Sequence, residues 1–236
     1  MTFDLLTIAI LVGTAVLYTA ILPRQARPWA LFVGSVVAIY WLQPDVPLRW
    51  ASFGLQTTTL GLAVLGWWLT RPPEAQKISP SDGRTLGLLA LLVLGLSFFR
   101  FAPSGLNLLG FRPPDPLWLA LTLLVVGLVL AAVLWLAQRL DERRVLTAAM
   151  VLIVGLFVVL KSDFLATAVA GLGRGFTGQD PSLASPLDLS WLGFSYVAFR
   201  LIHTLRDRQN GILPTLTLRE YVTYIIFFPS YIAGPI

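Results

Sequence analysis

Cysteine is missing from the 236 residues, which excludes disulfides, thiolate metal sites and cysteine nucleophiles. A single histidine, His203, leaves no histidine cluster for a metal, so neither a metal nor a cofactor is expected. Charge is scarce as well: Asp, Glu, Lys and Arg make up 12% of the chain, against about a quarter in soluble domains. What fills the space is apolar, 56% of residues with a mean hydropathy of +0.78, so the solvent this chain folds in is lipid. The excess of 17 basic over 12 acidic residues would point to nucleic acid in a soluble protein. In a membrane protein it belongs to the loops, and membrane lipids rather than nucleic acid are the expected partners. The first residues lack the positive region of a signal peptide and carry Asp4 instead, so they read as a retained first span.

A helix needs about 20 apolar residues to cross roughly 30 Å of hydrocarbon. Residues 5–22, 29–42, 51–69, 85–99, 117–137, 145–160 and 188–205 qualify or nearly do, and an eighth stretch runs from about 218 to the end. The predicted fold is therefore an all-α integral membrane protein, a polytopic bundle of about seven to eight transmembrane helices. The second and fourth stretches are short and read as tilted or re-entrant. Pro and Gly concentrate in the segments between, including a long GRGFTGQDPSLASP, because both weaken a helix interior. No internal repeat or low-complexity tract is present.

Loop charges orient the bundle. Alternate loops carry eleven basic residues (Arg24, Arg27, Arg71, Lys77, Arg84, Arg139, Arg143, Arg144, Arg206, Arg208 and Arg219), and the loops between carry five (Arg49, Arg100, Arg112, Lys161 and Arg174). Positive residues favour the cytoplasmic side, which puts the N-terminus outside the cell membrane.

A charge inside a span costs about 2.5–3.5 kcal/mol on insertion scales, so such residues mark candidate sites. In DLSWLGFSYVAFRLIHTLRD, Tyr196, Arg200, His203 and Asp207 recur at i, i+4, i+7 and i+11 and fall on one helix face. This stripe lines a polar cavity, with Arg200 and Asp207 steadying His203, or else it snorkels to the headgroups at a helix end. Lys161 and Asp163 read as an interfacial pair, and Gln56 with Thr57, Thr58 and Thr59 as hydrogen-bonding between helices. The eight Trp residues, at 29, 41, 50, 67, 68, 118, 135 and 191, read as interfacial anchors.

Three motifs follow one another in the last third: LKSDF, then WLGFSYVAFRLIHTLRDRQNG, then LREYVTYIIFFPSYIAGPI. In order and spacing they resemble the membrane-bound O-acyltransferase (MBOAT) family, in its bacterial branch of alginate acylation and teichoic-acid D-alanylation. Gly193, Ser195, Tyr196, Phe199 and Asp207 carry the match in the first block. Phe227, Phe228, Pro229, Ala233, Gly234, Pro235 and Ile236 carry it in the second. Trp191, Arg200, His203 and Thr204 depart from the family pattern. The resemblance covers roughly residues 160–236; residues 1–150 match only as N-terminal transmembrane helices, and 151–236 as the start of an MBOAT-like core.

The resemblance implies transfer of an acyl group from a thioester donor to a hydroxyl of a polysaccharide, lipid or related acceptor. It implies as partners an acyl-carrier protein and a C-terminal half. The family's catalytic histidine lies downstream of the Gly-Pro-Ile element, at a position His203 does not match. On this reading the chain is a fragment or split half, cut within an element that Pro229 and Gly234-Pro235 would bend, and inactive alone. Gly193, Ser195, Phe199, Pro229, Gly234 and Pro235 are then structural positions and His203 is only a weak catalytic candidate. The competing reading is a small polytopic transporter subunit or assembly scaffold with the Arg200, His203 and Asp207 stripe as a polar path.

Overall fold

The computed structural model describes residues 22–72, 78–103, 109–137 and 139–228, with residues 9, 12, 13, 16, 18 and 20 before them. Among these residues the fold is all helix. Pro28 sets the first turn of α1 (Arg27–Leu42), which ends where Gln43 turns extended ahead of Pro44. α2 is Ala51–Thr70 and α3 is Pro80–Ser97, the latter capped by Ser79, whose hydroxyl accepts from the Asp82 N–H, and continued by a 3-10 turn over Phe98–Phe101. α4 (Pro116–Ala137) is apolar all round. α5 (Glu142–Lys161) starts at Asp141, whose carboxylate accepts from the Arg144 N–H. α6 (Asp163–Phe176) follows after one residue, then come 3-10 turns at Pro181–Leu183 and Pro186–Leu189, α7 (Phe194–Gln209) and α8 (Leu218–Ile225).

Among the described residues, three segments are long and apolar enough to cross a membrane: Pro80–Phe101, Pro116–Leu136 and Glu142–Lys161. Arg27–Leu42 is apolar but shorter. The stretch expected over 188–205 is displaced. Residues 186–189 form a 3-10 turn around the buried Asp188, and the helix begins only at Phe194, beyond Gly193. The segment between the expected stretches 145–160 and 188–205 contains α6, fourteen residues with Gly171, Gly173 and Gly175 inside the helix, which runs into the start of GRGFTGQDPSLASP. The first stretch and the end of the last lie mostly outside the described residues.

α2 occupies the centre, packing against α1, α7 and α8, and α5 lies antiparallel to α7. The deepest side chains, Phe32, Tyr40, Phe53, Leu201, Tyr221 and Ile225, come from four of these helices, so the elements before and after residue 150 share one core. The tightest approach is at Gly66 of α2. A Cβ there would stand 2.7 Å from the Tyr221 hydroxyl and 2.8 Å from Leu201 Cδ2, so the Tyr221 and Leu201 side chains would have to shift to admit one. The Tyr221 hydroxyl is held by Thr204 Oγ1 at 2.7 Å.

Polar groups knit the other end of the bundle. Gln56 Nε2 donates to Gln43 Oε1 at 2.6 Å, and that oxygen also accepts from the Leu192 N–H at 3.1 Å. Gln43 Nε2 donates to the Ser190 carbonyl at 2.9 Å, and Trp191 Nε1 to Thr59 Oγ1 at 2.9 Å. Thr57 Oγ1 meets the Tyr40 hydroxyl at 2.8 Å, while Thr58 bonds back to the carbonyl of Gly54 in its own helix. Gln56, Thr57 and Thr59 therefore join elements as their polarity among apolar neighbours requires. The tryptophans differ in burial. Trp118 and Trp135 are exposed near the two ends of α4. Trp67 is buried, its Nε1 donating to the Leu216 carbonyl at 3.1 Å, and Trp191 joins the network above, so these two are internal hydrogen-bond donors.

Candidate functional site

α7 and α8 pair antiparallel because Thr217 and Glu220 form a capping box that starts α8 soon after the turn at Gly211. Tyr224 thereby comes opposite Arg200. The Arg200 guanidinium carbon lies 4.1 Å from the Tyr196 ring centroid and 4.5 Å from that of Tyr224, and Nη1 donates to the Tyr224 carbonyl. A cation that would be costly among apolar helices is thus held between two aromatic faces. One turn earlier on α8, Arg219 lies over Trp29 of α1 at 4.8 Å.

The space between these side chains is an open groove of about 350 Å³ lined by Pro28, Leu31, Arg200, Arg219, Glu220, Thr223, Tyr224 and Phe227. Its acid is already engaged, since Glu220 accepts from the Thr217 N–H at 3.0 Å and from the Thr217 hydroxyl at 2.8 Å. Thr223 Oγ1 is shielded and has no hydrogen-bond partner among the described residues. Two guanidinium groups and a hydroxyl on a largely apolar wall suit a negatively charged or strongly polarised oxygen attached to an apolar body.

The stripe read from the sequence divides in two. Tyr196 and Arg200 turn toward α8, and Arg200 lines the groove. His203 and Asp207 pair on the outer surface, Nε2 to Oδ2 at 3.7 Å, with the imidazole 67% exposed. Arg200 is engaged by the tyrosines, and of the two expected supports only Asp207 meets His203. The lower end of α7 is tied to α5: Arg208 Nε donates to Glu142 Oε1 at 2.7 Å, and Gln209 Nε2 to Thr147 Oγ1 at 2.9 Å.

Among the other motif positions, Gly193 caps α7 in the left-handed region at φ 74°, and Ser195 lies half-buried in the first turn. Phe199 is exposed with its ring 6.1 Å from that of Phe157 on α5. Pro229, Gly234 and Pro235 lie outside the described residues. Lys161 lies 5.9 Å from the Phe157 ring at the last turn of α5, and Asp163 stands exposed in the first turn of α6.

Sequence reasoning missed Arg219, Tyr224 and Thr223 in the groove, because nothing in the local pattern fixes how α8 registers against α7. It also took Arg174 for a loop charge. Arg174 is buried on the inner face of α6, with Nε donating to Asp188 Oδ2 at 2.6 Å and Nη2 to Oδ1 at 2.7 Å. The guanidinium holds the Asp188 carboxyl below the usual carboxylate range, with the Ser185 N–H adding to the effect and burial opposing it. The signal available in the sequence was the interval of 14 residues between an Arg and an Asp in an otherwise nearly uncharged segment.

No protein-family model matches the chain, and no solved structure does. Among curated proteins, a teichoic acid D-alanyltransferase of Streptococcus thermophilus is 35% identical over 48 residues, 20% of this chain. A teichoic acid D-alanyltransferase of Lacticaseibacillus rhamnosus is 33% identical over 48 residues, again 20% of this chain. In both cases the match spans 12% of the relative's own length. The likeness is therefore local, and it falls on a chain whose described residues include three helices long and apolar enough to cross a membrane.

Proposed function

We propose that this chain is the membrane-embedded part of an O-acyltransferase of the MBOAT kind, a bundle of seven to eight crossings in the cell membrane with its N-terminus outside. It would serve transfer of an acyl group from a thioester, carried by an acyl-carrier protein, to a hydroxyl of a polysaccharide or lipid acceptor. The observation that carries this reading is the short likeness to two proteins named teichoic acid D-alanyltransferases. The reaction forms a bond from the acceptor oxygen to the acyl carbon and breaks the carbon–sulfur bond. The hydroxyl proton goes to a base, and the thiolate leaves.

His203 is not placed among the groove residues for the role of base; it faces outward with Asp207. Arg200 and Arg219 are suited to hold a phosphate or polarised carbonyl oxygen of a substrate, the groove's apolar wall taking the attached chain. Deleting the gene and measuring alkali-labile ester groups on envelope polysaccharide and lipid tests the reading. The expected result is loss of those esters, their restoration by the wild-type gene and by His203→Ala, and at least a tenfold shortfall with Arg200→Ala, the loss of one charge-stabilising contact costing roughly a hundred- to thousandfold in rate. Unchanged ester content in the deletion strain would overturn the reading.

A further inference from the structure

We infer that α6 and the two turns after it lie along the membrane interface with their outer face against lipid acyl chains, rather than forming an aqueous loop. At 100° per residue, Leu165, Ala168, Val169, Leu172 and Phe176 fall within an arc of about 100°. All five are exposed, Leu172 by 66% and Phe176 by 90%. The buried residues Ala166, Ala170 and Arg174 fall on the roughly opposite side. The polarity is inverted relative to a helix on a soluble protein, where the charged residue faces water and the leucines face in. Here Arg174 points inward and is neutralised by Asp188, while from Phe164 to Gly178 the exposed face carries no charge. Leu183 and Leu187 in the turns continue the apolar surface.

Lipid is the occupant that continuity requires. α5 is one of the three helices able to span a membrane, and its outer face is uncovered at Val151, Leu152, Val154 and Val158. It ends at Lys161, where a basic residue reaches the headgroups. α6 begins two residues later, with Ser162 as its cap, and so starts at interfacial depth. Its fourteen residues span about 21 Å, too short for the roughly 30 Å of hydrocarbon, so it cannot be a crossing. The far end is returned to the bundle by Gln179, whose Oε1 accepts from the Arg49 N–H at 2.8 Å and whose Nε2 donates to the Pro47 carbonyl at 3.0 Å. A helix of this shape, with an apolar outer stripe and internally satisfied polar groups, fits the boundary between headgroups and acyl chains. The inference needs only that the chain lies in a membrane and stands apart from whether an acyl group is transferred.

The absence of cysteine makes every introduced thiol a unique label. Leu172→Cys, Phe176→Cys, a spanning reference Leu128→Cys and an aqueous reference Asn210→Cys are each spin-labelled and reconstituted in phosphatidylglycerol–phosphatidylcholine vesicles. Collision rates are then measured with molecular oxygen, which partitions into lipid, and with a nickel chelate, which stays in water. The expected result is that oxygen exceeds nickel several-fold at 172 and 176, as at 128, with the order reversed at 210. Nickel dominating at 172 and 176 would overturn the inference. So would exclusion of both reagents, which marks cover by protein; if single-copy nanodiscs lift that exclusion, the cover is a second copy of the chain. Ala168→Cys labels the same face with the least change in side chain and reports if a larger residue cannot be replaced without loss of fold.

Discussion

Gly193 sets where α7 begins. Gln43 Oε1 accepts from the Leu192 N–H, fixing the chain just before the helix, and Gly193 then turns through φ 74°, a conformation that L side chains adopt only at a cost. Gly193→Ala is expected to lower stability by about 1–2 kcal/mol, the cost of a left-handed residue with a Cβ. Thermal unfolding in detergent measures this, and an unchanged midpoint would mean the turn relaxes without strain. The period of Tyr196, Arg200, His203 and Asp207 was readable because helical spacing alone places them on one face. What the spacing could not supply was the partner. Tyr224 claims Arg200, leaving His203 to Asp207, and that choice depends on the capping box at Thr217 and the turn before it.

Among whole elements, apolar runs were legible as helices: 51–69 and 117–137 were expected, and Ala51–Thr70 and Pro116–Ala137 formed, of which Pro116–Leu136 has the length and hydropathy of a membrane span. α5 begins earlier than its apolar run because Asp141 caps a charged first turn, Glu142, Arg143 and Arg144. α6 was illegible because glycine at alternate positions reads as loop, while the pairing that holds the helix is formed only in the fold. The Arg174–Asp188 pair fastens α6 to the turn at Pro186–Leu189, and it makes this element sensitive to acid. Asp188 has a folded pKa below its unfolded value of about 3.9, so its contribution is present above about pH 4 and is lost as pH falls through the folded value. Asp188→Asn removes the carboxylate hydrogen-bonded to Arg174 at every pH and leaves Asp180 as a weaker charged neighbour. The variant is expected to unfold several degrees below wild type at pH 7, with the two midpoints converging as pH falls from 5 toward 2. A gap independent of pH would show that the carboxylate's charge does not secure the element.

For the molecule as a whole, the antiparallel run of α5 against α7 gathers the turns at residues 139–141 and 210–217 at one end, and α6 with the turn at residues 186–189 at the other. The groove opens near the first of these ends, between Pro28 at the start of α1 and Arg219 at the start of α8. The same end holds most of the basic loop residues, so the bias of positive charge and the position of the groove are coupled: whichever side the charges select, the groove faces. Arg174 drops out of that bias because it is consumed inside the fold, which leaves the α6 end poorer still in water-facing positive charge. Single thiols at Asn210→Cys and Gly110→Cys, both at exposed positions, report the outcome. In intact cells a membrane-impermeant maleimide is expected to label Gly110→Cys and to reach Asn210→Cys only after the membrane is opened, placing the arginine groove toward the cytoplasm. The reverse pattern would turn the groove outward and overturn this placement.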